Sequence, residues 1–251
     1  GETITPKGIM IHSTGANNPW LKRYVGPDDG LIGANQYGNH WNTAKPGGRQ
    51  ICAHAFIGRL KDGSIAAYQT LPWSMRGWHA GGSANNTHIG IELCEDGLTD
   101  SSYFFAVYKE AVELCVYLCK QFGLTEKSII CHSEGHAQGI ASNHGDVMHW
   151  FPKHGKSMDT FRTDVKAALG NEKADAATAS SKPYRVRVDI TNLYIRKGPG
   201  TNYAPTGNYT GKGVFTIVEE ANGAGATKWG LLKAYKKSRS GWISLDHATK
   251  I

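Results

Sequence analysis

The sequence predicts a mixed α/β domain, in which helices pack on a mixed β-sheet, followed by a small C-terminal β-barrel. The first part alternates short apolar runs irregularly with two amphipathic helical patterns, so strands and helices are expected to share one core. After Pro183 the pattern changes to short strand-like runs separated by Gly, Asn and Pro turns. A chain of 251 residues is long enough to hold both parts.

A stretch of linker composition divides the chain. Residues 171–183 are rich in Ala, Ser, Thr and Lys, contain no large apolar side chain and end in proline. We therefore expect a first domain at 1–170, a linker at 171–183 and a second domain at 184–251. No apolar run approaches the length of about 18 residues that a transmembrane helix needs, so we expect no membrane insertion. The oligomeric state is left open.

Five apolar runs in the first part predict strands. They are GIMIH at 8–12, ICAHAFI at 51–57, SIAAYQT at 64–70, HIGIELC at 88–94 and SIICH at 128–132. The segment LKDG between the second and third runs is a hairpin signal. The first and last runs each end in a histidine, so two strands are expected to deliver His12 and His132 to their carboxyl ends.

Two further stretches predict helices. Between 103 and 122 apolar residues recur every three or four positions, Asp100 can cap the start, and Gly123 can close the end. The second helix is expected at 157–169, with Asp159 in its first turn. Five short runs in 184–251 predict the strands of the C-terminal barrel.

The excess of positive charge lies entirely in the C-terminal part. The chain carries 28 Lys+Arg and 21 Asp+Glu, a net charge of +7. Residues 1–170 hold 15 of each sign and the linker holds two of each, whereas 184–251 hold 11 basic and four acidic residues. Such a module is attracted to polyanions, of which nucleic acid and the bacterial cell wall are two. A soluble module with surplus lysine is the plain alternative.

The five cysteines predict a reduced protein. An odd number cannot all pair in internal disulfides, and no CxxC pair occurs. We interpret them as structural thiols of a protein made in a cytosol. The alternative is that Cys131, beside His132, is a catalytic thiol.

Histidines at strand ends indicate a metal site. A catalytic zinc site takes three protein ligands and keeps one position open for water. His12 and His132 supply two candidates from distant parts of the sequence. The polar stretch that follows offers as third ligand His136, His144, Asp146 or His149. His136 lies four residues after His132, but Gly135 argues against a helical turn that would let the two chelate.

Residues 8–150 carry a resemblance that spans nearly all of the first domain. The segments IMIHSTG, CAHAFIGRLKDGSI, RGWHAGG followed by Asn85-Asn86, IGIELCE, and CHSEGH with a downstream Asp occur in this order. Together they resemble the zinc-dependent N-acetylmuramoyl-L-alanine amidases of the peptidoglycan-recognition type (amidase type 2), which include phage endolysins and bacterial autolysins. The resemblance implies the mixed sheet with packed helices of that family.

The same resemblance implies the residues of an active site. Zn²⁺ would be bound by His12, His132 and Asp146, and Glu92 matches the family's catalytic carboxylate. Many members place a lysine two residues before the third ligand, where this chain has His144. We therefore expect His144 to stabilise the oxyanion, with His79 as the other candidate donor. A plain surface histidine is the alternative interpretation of His144.

Four further residues are expected to contact the substrate. These are His54, His79, Gly81 and Asn85. The alternative for His79 is a supporting role behind the metal. The alternative for His54 is a hydrogen-bonded residue of the core. Gly81 would let a glycan approach the backbone closely, or would serve only as a turn residue.

The tail resembles bacterial SH3-type cell-wall-binding domains, on the segments LYIRKGPGTNY, KWGLLKAY and SGWISL. This resemblance implies a small SH3-like barrel that docks on peptidoglycan. The expected wall-binding aromatics are Tyr194, Tyr203, Trp229 and Trp242, with Tyr209 and Tyr235 as further candidates, and packing in the barrel core is the alternative for each. Lys236, Lys237 and Arg239 are expected to hold the protein on an anionic wall.

The combined expectation is a two-domain peptidoglycan hydrolase of the endolysin type. It would cleave the amide bond between N-acetylmuramic acid and the L-alanine of the stem peptide. The start of the sequence lacks a secretory pattern. We therefore expect synthesis in a bacterial host cytoplasm and release to the wall, through a holin if phage-derived. The alternatives are a host autolysin and a non-catalytic peptidoglycan-binding protein. Nucleic acid is not an expected partner, because the tail lacks zinc-finger spacing and a basic helix.

Overall fold

A computed structural model describes residues 1–42, 45, 48–178, 183–233 and 241–251. The chain forms two compact units, 1–169 and 170–251. Within the described ranges, no helix combines the length and the apolar character needed to cross a membrane.

A five-stranded mixed sheet forms the centre of the first unit. Its strands are β1 (Gly8–Ser13), β2 (Ala55–Arg59), β3 (Ile65–Gln69), β4 (His88–Leu93) and β5 (Ile129–Cys131). Their order is β3-β2-β4-β1-β5, with β3 antiparallel and the other neighbours parallel. Because β1, β4 and β5 run parallel, their carboxyl ends meet at one edge of the sheet. His12, Glu92 and His132 lie at that edge.

Helices accompany this sheet in the described part of the chain. They are α1 (Ser101–Phe122), α2 (His132–Ala137) and α3 (Met158–Thr178). The predicted caps of α1 are confirmed: the Asp100 side chain accepts a hydrogen bond from the Tyr103 amide, and Gly123 ends the helix with φ of 65°. The buried face of α1 shares one core with Ile9, Ile91 and Trp150. This core thus includes residues of β1 and β4, the strands that carry His12 and Glu92.

Two local predictions differ from the structure. The sequence predicts no helical turn after His132, yet α2 forms there. Gly135 packs closely against β1, since a Cβ at this position would lie 2.7 Å from Met10 Cε. The predicted linker 171–183 is helical through Thr178, since α3 continues beyond residue 169. Alanine, glutamate and lysine are good helix formers, which explains the longer helix.

The second unit is a separate antiparallel sheet of seven described strands. They are β6 (Tyr184–Val188), β7 (Tyr194–Arg196), β8 (Pro205–Tyr209), β9 (Gly213–Gly223), β10 (Ala226–Leu232), β11 (Trp242–Ser244) and β12 (Thr249–Lys250), in the order β12-β6-β9-β10-β11-β7-β8. The sequence predicted five strands. Of the two additional strands, β8 contains Pro205, Gly207 and Asn208, which are uncommon in strands, and β12 has only two residues, so neither is predicted from the sequence.

The five cysteines are free thiols, and four of them are buried. Burial raises the pKa of Cys131, whereas a catalytic thiol needs a lowered pKa. The catalytic alternative for Cys131 is therefore not supported, and the structural interpretation accounts for its position in the core.

Candidate metal centre and catalytic cleft

Three side chains converge at the carboxyl edge of the first sheet. Asp146 Oδ2 lies 2.8 Å from His132 Nδ1 and 3.5 Å from His12 Nδ1. The two Nδ1 atoms are 3.1 Å apart. Two imidazole nitrogens and one carboxylate oxygen thus form a triangle of candidate metal ligands.

Each of these side chains is placed by a different element. His12 lies near the end of β1, and His132 is the first residue of α2, directly after β5. Asp146 opens a 3-10 turn, Asp146–His149, in the left-handed conformation with φ of 42°. Aspartate tolerates this region better than most residues, and such strain is common at functional sites. The turn is held in place because Val147 is buried in the core.

The donor set fits a zinc ion. Tetrahedral zinc with bonds of about 2.0–2.1 Å places neighbouring ligand atoms roughly 3.3 Å apart. The three observed separations, from 2.8 to 3.5 Å, bracket that value. Asp146 Oδ2 is also buried without a well-aligned hydrogen-bond donor among the described residues. Three protein ligands leave the fourth position open, as a catalytic site requires.

The charge state of this triangle follows from burial. Burial opposes ionisation of Asp146, but His12 and His132 outweigh it and hold its pKa below the ordinary range. Burial lowers the pKa of His12, although Asp146 opposes this. A neutral imidazole and an ionised carboxylate are the forms that bind a metal.

The other candidates for third ligand lie elsewhere. His136 Nδ1 is 3.3 Å from the Ala141 carbonyl oxygen, and the residue is exposed. His149 Nε2 lies 2.8 Å from Glu95 Oε1. Although His132 and His136 lie one turn apart in α2, the His136 ring contacts the Ala141 carbonyl and does not join the triangle. The geometry selects Asp146 from the set that spacing had left open.

Glu92 is a buried carboxylic acid beside the metal position. It pairs in register with His12 across β4 and β1, and it lines the same cleft. Burial raises its pKa well above the ordinary value, and the charges of Asp146 and Glu95 add to this shift. Its Oε2 atom finds no hydrogen-bond partner within the described part of the chain. Burial therefore favours the protonated form of this carboxyl group.

A cleft of about 330 Å³ opens onto these residues. Its walls include two tryptophans, the partly buried Trp41 and the exposed Trp78. The Arg76 guanidinium lies 4.2 Å from the Trp78 ring centroid and orients that indole. The remaining lining residues are Ser13, Thr14, Gln50, Ile51, His79, Gly81, Asn85, Ser142 and His144.

Three predicted residues line this cleft in different ways. His144 is exposed, and its ring centroid lies 4.7 Å from that of His132. Gly81 has φ of 63°, and a Cβ there would lie 2.5 Å from Ser142 Oγ, so its backbone requires glycine. The buried Asn85 accepts hydrogen bonds at Oδ1 from the amides of His79 and Ala80. Their expected contacts with substrate and oxyanion stay predictions.

His54 does not reach the cleft, which corrects its prediction as a substrate contact. It is fully buried, its Nδ1 accepts a hydrogen bond from the Gly90 amide at 3.0 Å, and its Nε2 donates to the Met75 carbonyl at 2.8 Å. Both ring nitrogens are therefore used inside the fold. The alternative of a hydrogen-bonded core residue is the one that the structure supports.

His79 lies behind His12 and also lines the cleft. Its Nδ1 is 2.9 Å from His12 Nε2, and its Nε2 is 3.1 Å from the His88 carbonyl oxygen. Burial lowers its pKa well below the ordinary value, and the neighbouring histidines His12 and His54 add to the shift. His79 is therefore a neutral ring in contact with a candidate ligand.

Ser142 is a site residue that the sequence argument missed. Its Oγ lies 3.1 Å from His132 Nε2 and 3.0 Å from His144 Nδ1, and it donates to the Ala80 carbonyl at 3.2 Å. It thereby fixes the outer nitrogen of a candidate ligand. A single serine in a polar loop carries no signal that distinguishes it from its neighbours.

The predicted wall-binding residues fall partly on one groove of the second unit. Tyr194 and Trp229 line a groove of about 350 Å³, and the Tyr209 ring lies 4.8 Å from that of Tyr194. Trp229 is buried and its Nε1 has no partner among the described residues. Tyr203 is exposed and Trp242 partly buried. The remaining candidates, Tyr235, Lys236, Lys237 and Arg239, lie outside the described residues.

Residues 2–149 match the family described as N-acetylmuramoyl-L-alanine amidase. The chain belongs to this family. The matched range contains the five strands of the first sheet and every member of the candidate triangle. The segment that matches the amidase family therefore includes all four residues that meet at the cleft: His12, Glu92, His132 and Asp146.

Individual relatives agree with the family match. A protein of Bacillus licheniformis described as a probable N-acetylmuramoyl-L-alanine amidase is 25% identical over 186 residues. The alignment covers 70% of this chain and 45% of that protein, so the chain spans about half the length of its curated relative.

A solved hydrolase structure shares the fold of this chain. The Staphylococcus aureus hydrolase AmiA, in complex with its ligand, superposes with a TM-score of 0.52 at 14% identity, covering 69% of this chain and 81% of that one. The structure of PlyL gives a TM-score of 0.46 at 18% identity over 65% of this chain and 86% of its own. The AmiA match confirms the mixed α/β fold.

Proposed function

We propose that the first unit is a zinc-dependent N-acetylmuramoyl-L-alanine amidase that acts on peptidoglycan. The bond cleaved would be the amide between N-acetylmuramic acid and the L-alanine of the stem peptide. The observation that carries the proposal is the triangle of His12, His132 and Asp146 beside the buried Glu92 in an open cleft. Family membership and the description of the Bacillus licheniformis relative support the same activity.

The donor set suits the hydrolysis of an amide. Amide hydrolysis is slow because water is a weak nucleophile and the leaving amine must be protonated. A zinc ion held by His12, His132 and Asp146 would supply Lewis-acid polarisation of the carbonyl and a lowered pKa for bound water. The protein's own residues must then manage the proton and the developing charge.

Glu92 is the residue proposed to carry the proton. Its carboxyl group, held on the rigid β4 strand, accepts a proton as water attacks and returns it to the departing nitrogen. The raised pKa favours this cycle, because a carboxyl with an ordinary pKa holds a proton too weakly near neutral pH.

His144 is proposed to stabilise the oxyanion. It lines the cleft beside His132, and Ser142 Oγ lies 3.0 Å from its Nδ1. A hydrogen bond donated by the ring to the developing negative charge lowers the barrier. Trp41 and Trp78 in the cleft wall offer apolar surfaces to the sugar and peptide.

The second unit is proposed to be an SH3-like wall-binding domain. The groove lined by Tyr194 and Trp229 presents the exposed Tyr194 ring, against which the exposed Tyr209 ring packs. The net charge of +7 carried by 184–251 favours retention on an anionic wall. Release from a host cytoplasm to the wall stays a prediction.

Mass spectrometry of digested cell walls tests the activity. We expect new free amino groups on alanine and no new reducing sugar ends. New reducing ends would identify a glycosidase and refute the mechanism. Wall binding without any new terminus, by a zinc-loaded chain, would identify a non-catalytic binding protein instead.

A further inference from the structure

We infer that His79 is a positioning residue that fixes the tautomer and orientation of His12 for metal binding. This inference rests on the proposed function, because it assumes that His12 is a metal ligand. His79 itself does not belong to the triangle of ligand atoms. It acts through the nitrogen of His12 that faces away from that triangle.

A chain of hydrogen bonds with a fixed direction leads to His12. The His88 carbonyl oxygen can only accept, so His79 Nε2, at 3.1 Å, must carry the proton. In the neutral ring, Nδ1 of His79 is then an acceptor. It lies 2.9 Å from His12 Nε2, which must therefore donate.

The consequence falls on the opposite side of the His12 ring. With its proton on Nε2, neutral His12 carries a lone pair on Nδ1. That atom is the one that lies 3.5 Å from Asp146 Oδ2 and 3.1 Å from His132 Nδ1. A backbone carbonyl of β4 thus determines, through His79, which nitrogen of His12 is free to bind a metal.

The fold provides a socket for the His79 ring. A Cβ at Gly90, within the buried strand β4, would lie 2.4 Å from His79 Cγ. A Cβ at Gly77 would lie 2.7 Å from His79 Cδ2. The backbone amide of His79 donates to Asn85 Oδ1, so the residue is held at both ends. Glycine in a strand interior costs stability, and here it makes room for one imidazole.

His54 offers a matched comparison. Its ring centroid lies 5.7 Å from that of His79, and it packs against the same Gly77. Both of its nitrogens bond to backbone groups, at Gly90 and Met75, and neither bonds to His12. A substitution at His54 should therefore disturb the core without altering the proton on His12.

The test measures metal affinity directly in the full chain. Zinc binding is followed by competition with a chromophoric chelator, and Co²⁺ substitution reports ligand geometry in the visible spectrum. We expect His79→Leu to weaken zinc binding about 10–100-fold and to change the Co²⁺ spectrum. His79→Asn should restore most of the affinity, because Asn Oδ1 occupies the position of Nδ1 and accepts from His12. His54→Gln should lower the Tm of the metal-free protein and keep the zinc affinity of the parent.

The outcomes separate the inference from the proposed function. Zinc affinity of His79→Leu close to that of the parent would overturn the positioning role. Equal losses in His79→Leu and His79→Asn would overturn it too, since only the asparagine retains the acceptor. If the unsubstituted chain takes up no zinc, the proposed function fails and this inference fails with it.

Discussion

His12 on β1 and Glu92 on β4 are register partners in a parallel pair of strands. Partners at the same level of a sheet point to the same face, so the candidate ligand and the buried carboxyl share one cleft. Both strands are fixed by the core that α1 covers. The distance between metal position and proton carrier is thus set by the sheet and not by a loop.

This relationship predicts the effect of Glu92→Gln. The amide cannot accept a proton, so wall hydrolysis should fall about 10²–10⁴-fold. Zinc content should stay at the parent value, because Glu92 is outside the ligand triangle. The control is Glu113→Gln on the outer face of α1, where the carboxylate pairs with Lys109. Full turnover by Glu92→Gln would remove this residue from the mechanism.

The third ligand is tested by a pair of alanine variants. Asp146→Ala should lose zinc on dialysis, because two histidines alone hold zinc weakly. His136→Ala should keep zinc, since its Nδ1 lies against the Ala141 carbonyl and the residue is exposed. Atomic absorption on both purified variants gives the metal content. The reverse pattern would show that the ligand is misassigned.

The raised pKa of Glu92 predicts a pH dependence of stability in the metal-free protein. The folded state binds the proton more tightly than the unfolded chain, whose pKa is near 4.5. The stabilising contribution is therefore present below that pH and is lost as pH rises toward the folded pKa. In Glu92→Gln the side chain stays neutral at every pH. Its free energy of unfolding should therefore exceed that of the parent by a margin that grows as pH rises, by at most about 1.4 kcal/mol per pH unit.

Urea unfolding of chelator-treated protein at a series of pH values measures this difference. The lowered pKa of Asp146 acts in the opposite direction, with stability lost as pH falls, and is present in both proteins. Parallel stability profiles for the parent and Glu92→Gln would show that the folded protein does not raise the pKa of Glu92.

The groove of the second unit predicts that wall binding and catalysis separate. Tyr194→Ala removes an exposed ring from the groove and should weaken binding to insoluble walls roughly fivefold or more. Hydrolysis of a soluble muropeptide should be unchanged. The control is Val214→Ala, an exposed residue of β9. A pelleting assay gives the bound fraction, and unchanged pelleting of Tyr194→Ala would exclude this groove as the wall site.

Local patterns in the sequence were sufficient for the first sheet and for α1. Apolar runs predicted strands that end at His12 and His132, and the caps Asp100 and Gly123 predicted the limits of α1 within about two residues. These features depend on neighbours in the chain, through side-chain periodicity and backbone hydrogen bonds at helix ends. The family resemblance, carried by short segments in a fixed order, agreed with the match over residues 2–149.

Packing overrode local preference at other positions. Gly135 disfavours a helix, yet α2 forms because the missing side chain lets the helix approach Met10. The 171–178 segment has few large apolar residues, but its alanines continue α3. In both cases the outcome depends on surroundings that the local sequence does not report.

The sequence by itself determined which residues have the chemistry for a metal centre, and at which strand ends two of them lie. Residue spacing left the third ligand open, and the family resemblance implied Asp146. Only the tertiary structure placed Asp146 beside His12 and His132, and separated His54 in the core from His79 behind His12. The spacing of residues gives only their separation along the chain. Whether a residue can bind a metal depends on where one atom of its side chain, a ring nitrogen or a carboxylate oxygen, points in the folded protein. That direction depends on contacts with residues far away in sequence, here the glycines and carbonyl groups of neighbouring strands.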